Sequence, residues 1–180
     1  FSNGSSMEDL APFDAYFSVA GTHVSLIGGR SLVSWGRGNT GNLLVDDDLG
    51  FHDFMQTSAW NRTISYKLLL MTSNLLSPDG KSSLSLSFRD NFRLYTVHRF
   101  EWDITDWLRF TLNEGALFYA ERLDLRMFNP MMYMHNYHND GHDLSGGMYD
   151  EVNNFVQLEL EVAFLPGFSF HAQAFIDQFE

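Results

Sequence analysis

Residues able to do chemistry sit in a few small groups. His135, His138 and His142 share a polar stretch with Asp140 and Asp143. Imidazole and carboxylate are the usual oxygen and nitrogen ligands of zinc. The H-x2-H-x3-H spacing matches no zinc signature, however, and its Asn-, Met- and Tyr-rich surroundings read as a solvated loop. Gly36-Arg37-Gly38-Asn39-Thr40-Gly41 fits G-x-G-x-x-G. A dinucleotide site needs a helix directly afterwards, its N-terminus holding the pyrophosphate. Here Asn42-Leu43-Leu44-Val45 and then Asp46-Asp47-Asp48 follow, so the glycines are expected to shape a tight loop. The three aspartates lack the alternate-residue oxygen spacing of a calcium loop. No G-x-S-x-G elbow is present. Glu114 and Glu121 are seven positions apart on one strand, on opposite faces and roughly 20 Å or more distant. Catalysis has no support in the sequence, and neither a cofactor nor a metal is expected.

Composition narrows the classes further. Eleven Lys and Arg stand against 23 Asp and Glu, a net charge of −12. Phosphate binding needs a basic stripe, so nucleic acid and nucleotide are not expected partners. With no cysteine, there is neither a disulfide framework nor thiolate chemistry. The longest aliphatic stretch, Leu68 to Met71, is far short of the ~20 apolar residues of a membrane helix. Transmembrane β-barrels need no such stretch.

The elements that would position these residues are strands, because the dominant period is two. Even positions carry the apolar set Trp60, Ile64, Tyr66, Leu68 and Leu70, then Leu84, Leu86 and Phe88. Phe92, Leu94, Phe100, Trp102 and Ile104 follow, with Thr96 and His98 as breaks. Leu108, Phe110, Leu112, Ala116 and Phe118 come next. Val156, Leu158, Leu160, Val162 and Phe164, and finally Phe168, Phe170, Ala172, Ala174 and Ile176, complete the series. Phe13, Ala15, Phe17 and Val19 suggest an earlier strand and Val24 to Ser34 another. That makes about eight strands, with Leu123 to Met134 able to hold a short helix around Pro130.

With Val24 taken as the start of an upward strand, links Trp35–Ala59, Arg89–Arg93 and Glu121–Asn153 fall at one end. Ser73–Lys81, Thr105-Asp106 and Leu165-Pro166-Gly167 fall at the other. Long connections at one end and tight turns at the other are the pattern of outer-membrane barrels. Aromatic residues gather near strand ends (Trp60, Phe100, Trp102, Trp107, Phe118, Phe155, Phe164, Phe168), where such barrels carry their girdles. The opposite parity holds Arg89, Arg93, Arg99, Arg109, Glu101, Glu159 and Glu161, a lattice of ion pairs for a polar lumen. The expected fold is all-β, an antiparallel transmembrane up-and-down barrel, with residues 1–180 a single fragment truncated at both ends. A soluble β-sandwich also alternates and stays open as an alternative.

Two stretches carry a resemblance. Gly29-Arg30-Ser31-Leu32-Val33-Ser34-Trp35-Gly36-Arg37-Gly38, followed by Gly41-Asn42-Leu43-Leu44, resembles a strand-then-W-G-x-G segment of the Wzi-like capsule assembly family. His98-Arg99-Phe100-Glu101, then Trp107-Leu108 and Asn113 to Tyr119, resembles that family's H-R-x-E hairpin. Asn129-Pro130, a following His-Asn (His135-Asn136 or His138-Asn139), Asn153-Asn154 and Ile176-Asp177 continue in the same order. The resemblance implies a bacterial outer-membrane barrel of about eighteen strands, of which about eight are present here. It further implies a lectin-like binder that organises surface or capsular polysaccharide without catalysis, in contact with outer-membrane lipid and lipopolysaccharide. The ligand-binding residues expected from location are Trp35, Arg37, Asn39, Tyr133, His135, Tyr137 and His138. A diffusion porin or transporter barrel, and a soluble carbohydrate-binding sandwich, are the competing readings.

Overall fold

The computed structural model describes residues 14–36, 38, 41–46, 51–73, 92–120, 128–129 and 149–177. Eight strands make one antiparallel sheet in which each pairs with its sequence neighbour. They are β1 Ala15–Ala20, β2 Val24–Leu32, β3 Phe51–Trp60, β4 Ile64–Ser73, β5 Phe92–Thr105, β6 Leu108–Ala120, β7 Tyr149–Leu165 and β8 Phe168–Asp177. β1 pairs only with β2 and β8 only with β7, so the sheet is not closed on itself. No helix among the described residues is long and apolar enough to cross a membrane.

Four tight turns, 21–23, 61–63, 106–107 and 166–167, lie at one end of the sheet, and the long connections 33–50, 74–91 and 121–148 at the other. Local chemistry builds the turns. Asn61 Oδ1 accepts the backbone N–H groups of Thr63 and Ile64 at 2.9 and 2.8 Å, the side-chain mimic of a turn that asparagine makes well. Gly167 closes the β7–β8 turn at φ +78°, a conformation that costs other residues a Cβ clash.

Register sorts the side chains onto two faces, since alternate residues of a strand point opposite ways. On one face Val24, Ala59, Tyr66, Phe100, Leu112, Leu158 and Ala174 lie in a row across seven strands. Ile64, Trp102, Phe110, Leu160 and Ala172 form the next row towards the turns. This apolar face is open towards the turns, where Trp102 is 46% exposed, Leu158 38% and Phe170 53%, whereas Leu68, Leu70, Leu94 and Ala116 nearer the loop end are at most 6% exposed. The other face carries Lys67, Arg99, Asn113 and Gln157 in one row and Ser65, Glu101, Thr111, Glu159 and Gln173 in the next. It also receives the chain segment that leaves β2, so it is termed the loop-bearing face.

The alternation predicted from β4 onwards is present, but the strand order differs in one place. β3 runs through what the spacing read as a long Trp35–Ala59 link, and it returns to the turn end at 61–63. Trp60 therefore closes β3, pairs with Ser65 and shares a face with Ser58, not with Ile64. β4 consequently runs to the loop end, which moves the connection after Ser73 there instead of to the turn end. The expected strand at Leu84, Leu86 and Phe88 lies outside the described residues, as do Arg89, Glu121 and all of Leu123 to Met134 except Phe128 and Asn129. Trp60, Phe100, Trp102, Trp107, Phe164 and Phe168 do gather at the turn end, each at least 36% exposed. Phe155 departs from that grouping: it is 5% exposed and belongs to the core on the loop-bearing face. The Phe118 side chain lies outside the described part.

Phe155 reaches that core because β6 has no side chain in its way. Its ring stacks on Tyr95 of β5 and on Phe175 of β8, with centroids 5.3 Å apart in both pairs. A Cβ at Gly115 would stand 2.3 Å from Phe155 Cζ and 2.6 Å from the Thr96 carbonyl oxygen. Gly115→Val is therefore expected to lower stability by about 1–3 kcal/mol through overpacking. A shifted urea midpoint of the purified protein is the check, and an unchanged midpoint would contradict the close packing.

Candidate functional site

After β2 the chain turns inwards and lies on the loop-bearing face. Val33, Trp35, Leu44 and Val45 form one apolar cluster with Leu69, Met71, Val97 and Phe155, and Phe54 and Tyr95 pack against it. Trp35 N–H donates to the Val45 carbonyl at 3.0 Å, closing the loop on itself. Within it Asn42 is the organiser. Its Oδ1 accepts Gly38 N–H at 3.1 Å, its backbone N–H donates to Asp46 Oδ2 at 2.7 Å, and its Nδ2 donates to Ser34 Oγ at 3.0 Å. Gly36 has φ +132°, and a Cβ there would lie 2.0 Å from Asn42 Oδ1. The G-x-G-x-x-G glycines thus serve a tight loop, and Asp46 serves that loop as well.

Polar tethers hold the loop to strands on either side. Trp35 Nε1–H donates to Gln56 Oε1 of β3 at 2.9 Å, and the Tyr95 hydroxyl of β5 donates to the Leu44 carbonyl at 2.9 Å. Leu43 N–H donates to Gln173 Oε1 of β8 at 3.1 Å. The loop therefore crosses the sheet from β3 to β8 and covers the apolar half of this face. Tyr95→Phe leaves the buried Leu44 carbonyl without that bond, at about 1–3 kcal/mol for an unsatisfied group. Faster amide exchange confined to residues 33–46 is the expected result. Unchanged exchange there would show that the tether holds nothing.

Beside the loop, towards the turns, lies a connected ionic lattice. Arg99 donates to Glu159 through both terminal nitrogens, at 2.6 and 3.1 Å, and through Nε to Glu101 Oε1 at 2.7 Å. Glu101 also accepts from Ser65 Oγ at 2.6 Å and pairs with Lys67 Nζ at 3.2 Å. Asn113 Nδ2 donates to Glu159 Oε1 at 3.0 Å and to Gln157 Oε1 at 2.9 Å. His171 Nε2 stands 3.6 Å from Glu159 Oε2. Arg109 pairs with Asp103, and its NH1 is 3.9 Å from Glu161 Oε2. Three cations meet four carboxylates, so the lattice is close to self-neutral. It acts as a rigid brace, since two-point arginine–carboxylate bonds fix orientation as well as distance.

The opposite, apolar face carries a polar pair at one of the positions that broke the sequence pattern. Tyr66 Oη and His98 Nδ1 are 2.7 Å apart, and the rings meet edge to face. His98 pairs in register with Glu114. Paired polar groups of this kind are the form in which an apolar environment tolerates them.

Of the residues expected to bind a ligand, Trp35 is described and is 6% exposed, its indole committed to the core cluster and Gln56. Its ring is covered, where stacking on a sugar needs an open face. Arg37, Asn39, Tyr133, His135, Tyr137 and His138 lie outside the described residues, as do His142, Asp140 and Asp143. Of the predicted lumen charges, Arg99, Arg109, Glu101, Glu159 and Glu161 do share one face. The Arg93 side chain lies outside the description. Lys67, Asn113, Gln157 and His171 complete the lattice and were not singled out by spacing. Their membership depends on which strands are neighbours. No family model, no curated protein and no solved structure matches this chain.

Proposed function

We propose that this sheet is a section of the wall of a transmembrane β-barrel in a bacterial outer membrane, of Wzi-like type. In this reading the apolar face meets lipid and lipopolysaccharide, and the loop-bearing face lines the lumen. The observation that carries it is the two-faced sheet: rows of exposed Phe, Trp, Leu and Ile on one side, an ionic lattice on the other. Soluble monomers rarely expose contiguous apolar patches of more than a few hundred Å². Strand lengths support the reading, since β2, β3, β4 and β8 have 9 or 10 residues, the span of a tilted membrane strand of about 9–11.

The barrel would be wider than eight strands. Side chains alone fill the interior of an eight-stranded barrel, whereas this face carries residues 33–46 in addition to Tyr95, Phe155 and Arg99. An open sheet edge is also untenable in lipid, where each unpaired backbone group costs several kcal/mol. β1 and β8 would thus each take a further strand.

Its task, in this reading, is to bind and organise surface polysaccharide without catalysis, through the loop end that bears Arg37, Asn39, Tyr133, His135, Tyr137 and His138. The infolded loop supports a binding role over free diffusion, because it occupies space that a diffusion porin leaves to water. The test pairs two measurements on the full-length protein. Isolated surface polysaccharide should be retained by immobilised protein and lost on His138→Ala, and planar bilayers should show little steady conductance. Porin-like conductance with no polysaccharide retention would overturn the reading.

A further inference from the structure

The infolded loop has a fixed root and a tip with little to hold it. At the root, Val33, Trp35, Leu44 and Val45 are at most 7% exposed within the core cluster. At the tip, Gly36, Gly38 and Gly41 bring no side chain, and Leu43 is 57% exposed. Asn42 gives the tip its shape through Gly38, Asp46 and Ser34. All of these belong to the loop itself, so their bonds do not decide where on the sheet the tip rests. Among the described residues, the strand side chain that meets the tip is Gln173 of β8. Its Oε1 accepts Leu43 N–H at 3.1 Å, and its Nε2 donates to Asn42 Oδ1 at 3.4 Å. A Cβ at Gly36 would stand 3.1 Å from the same Nε2, so the amide lies against bare backbone. Gln173 is located in turn by its register partner Glu159, which Arg99 holds with two bonds.

We infer that Gln173 is a positioning residue for polysaccharide binding: it sets where the tip of the infolded loop rests. The inference rests on the reading proposed above, in which Arg37 and Asn39 of the same glycine-rich turn contact polysaccharide. Glycine loses more conformational freedom on being fixed than any other residue. A glycine-rich tip with no buried side chain therefore settles only where bonds from outside offset that loss. A side-chain amide offers an acceptor and a donor together, and here each meets its counterpart on the loop. That fixes the tip in orientation as well as in position.

The experiment uses immobilised full-length protein, with isolated surface polysaccharide as the probe. Gln173→Met keeps the length of the side chain and removes both bonds. Retention should fall about tenfold, equivalent to about 1.4 kcal/mol and of the order of the hydrogen bonds removed. Gln173→Ser, too short to reach the loop, should behave alike. Amide exchange should quicken at residues 41–43 and stay as in the parent at 33–35. Arg37→Ala supplies the arm that separates positioning from general structural damage. Acting through the tip, Gln173→Met should weaken an Arg37→Ala protein less than it weakens the parent, since coupled residues are not additive. Heat-modifiable gel mobility certifies that each variant is folded. Undiminished retention by either folded variant, or a fully additive loss in the double variant, would overturn the inference and leave the polysaccharide reading standing. A parent that retains no polysaccharide overturns that reading, and the inference falls with it.

Discussion

Arg99→Met is expected to destabilise the protein by about 3–5 kcal/mol, the range for removing one partner of a buried ion pair. Arg99 and Glu159 each have side chains only 4% exposed. Without the guanidinium, Glu159 keeps Asn113 at 3.0 Å and His171 at 3.6 Å, neither of which replaces a full positive charge held by two bonds. Glu101 suffers less, because Lys67 and Ser65 stay in place. That asymmetry dictates the rescue. Arg99→Met/Glu159→Met removes both charges, and such replacements are often neutral or stabilising, so most of the loss should return. Asn113 retains Gln157 in the double variant. Urea unfolding of the purified protein, followed by tryptophan fluorescence, measures both variants. A single variant as stable as the parent would mean that the lattice is decoration.

The second large effect concerns the apolar face. Leu158→Arg is expected to cost about 2–4 kcal/mol, the penalty for a cation on the lipid face of a barrel near the bilayer midplane. Leu158 is 38% exposed and lies on β7 in the seven-strand apolar row, flanked by Leu112 and Ala174. Were that face in water, a surface substitution at such a site would change stability by only about 0.5 kcal/mol in either direction. Ser18→Arg supplies the comparison. Ser18 pairs with Ile27, shares the loop-bearing face and is exposed, so an arginine there stays on the side away from the apolar rows and should be nearly silent. Folding yields into lipid vesicles at matched urea give the two values. Equal penalties at both positions would contradict the assignment of faces.

Much of this architecture was readable from spacing, for a physical reason. Where one face is mostly apolar, as on β4 to β8, the period of two stays readable and also places Arg99, Glu101, Arg109, Glu159 and Glu161 together on the other. β3 hid itself because its two faces do not differ in polarity: Phe54 and Gln56 meet the infolded loop, while Asp53, Met55 and Thr57 share the opposite side. Missing that strand put the connection after Ser73 at the wrong end. The interruption at His98 was visible, but its partner, Tyr66 on the neighbouring strand, was not. Tethers such as Tyr95 to Leu44 and Leu43 to Gln173 join residues 51 and 130 positions apart. No local pattern encodes such pairs. Trp35 shows the same limit from the other side: a tryptophan in a glycine-rich loop reads as a surface ring until the loop is seen to fold inwards.

The central claim is that the apolar face meets lipid, and the most direct measurement is where the full-length product goes in cells. Outer-membrane fractions should contain it, with gel mobility that changes on boiling, as a folded barrel shows. Recovery in the soluble fraction without detergent, with the same β content, would contradict the claim and leave a soluble β-sheet protein whose apolar rows are covered by something other than a membrane.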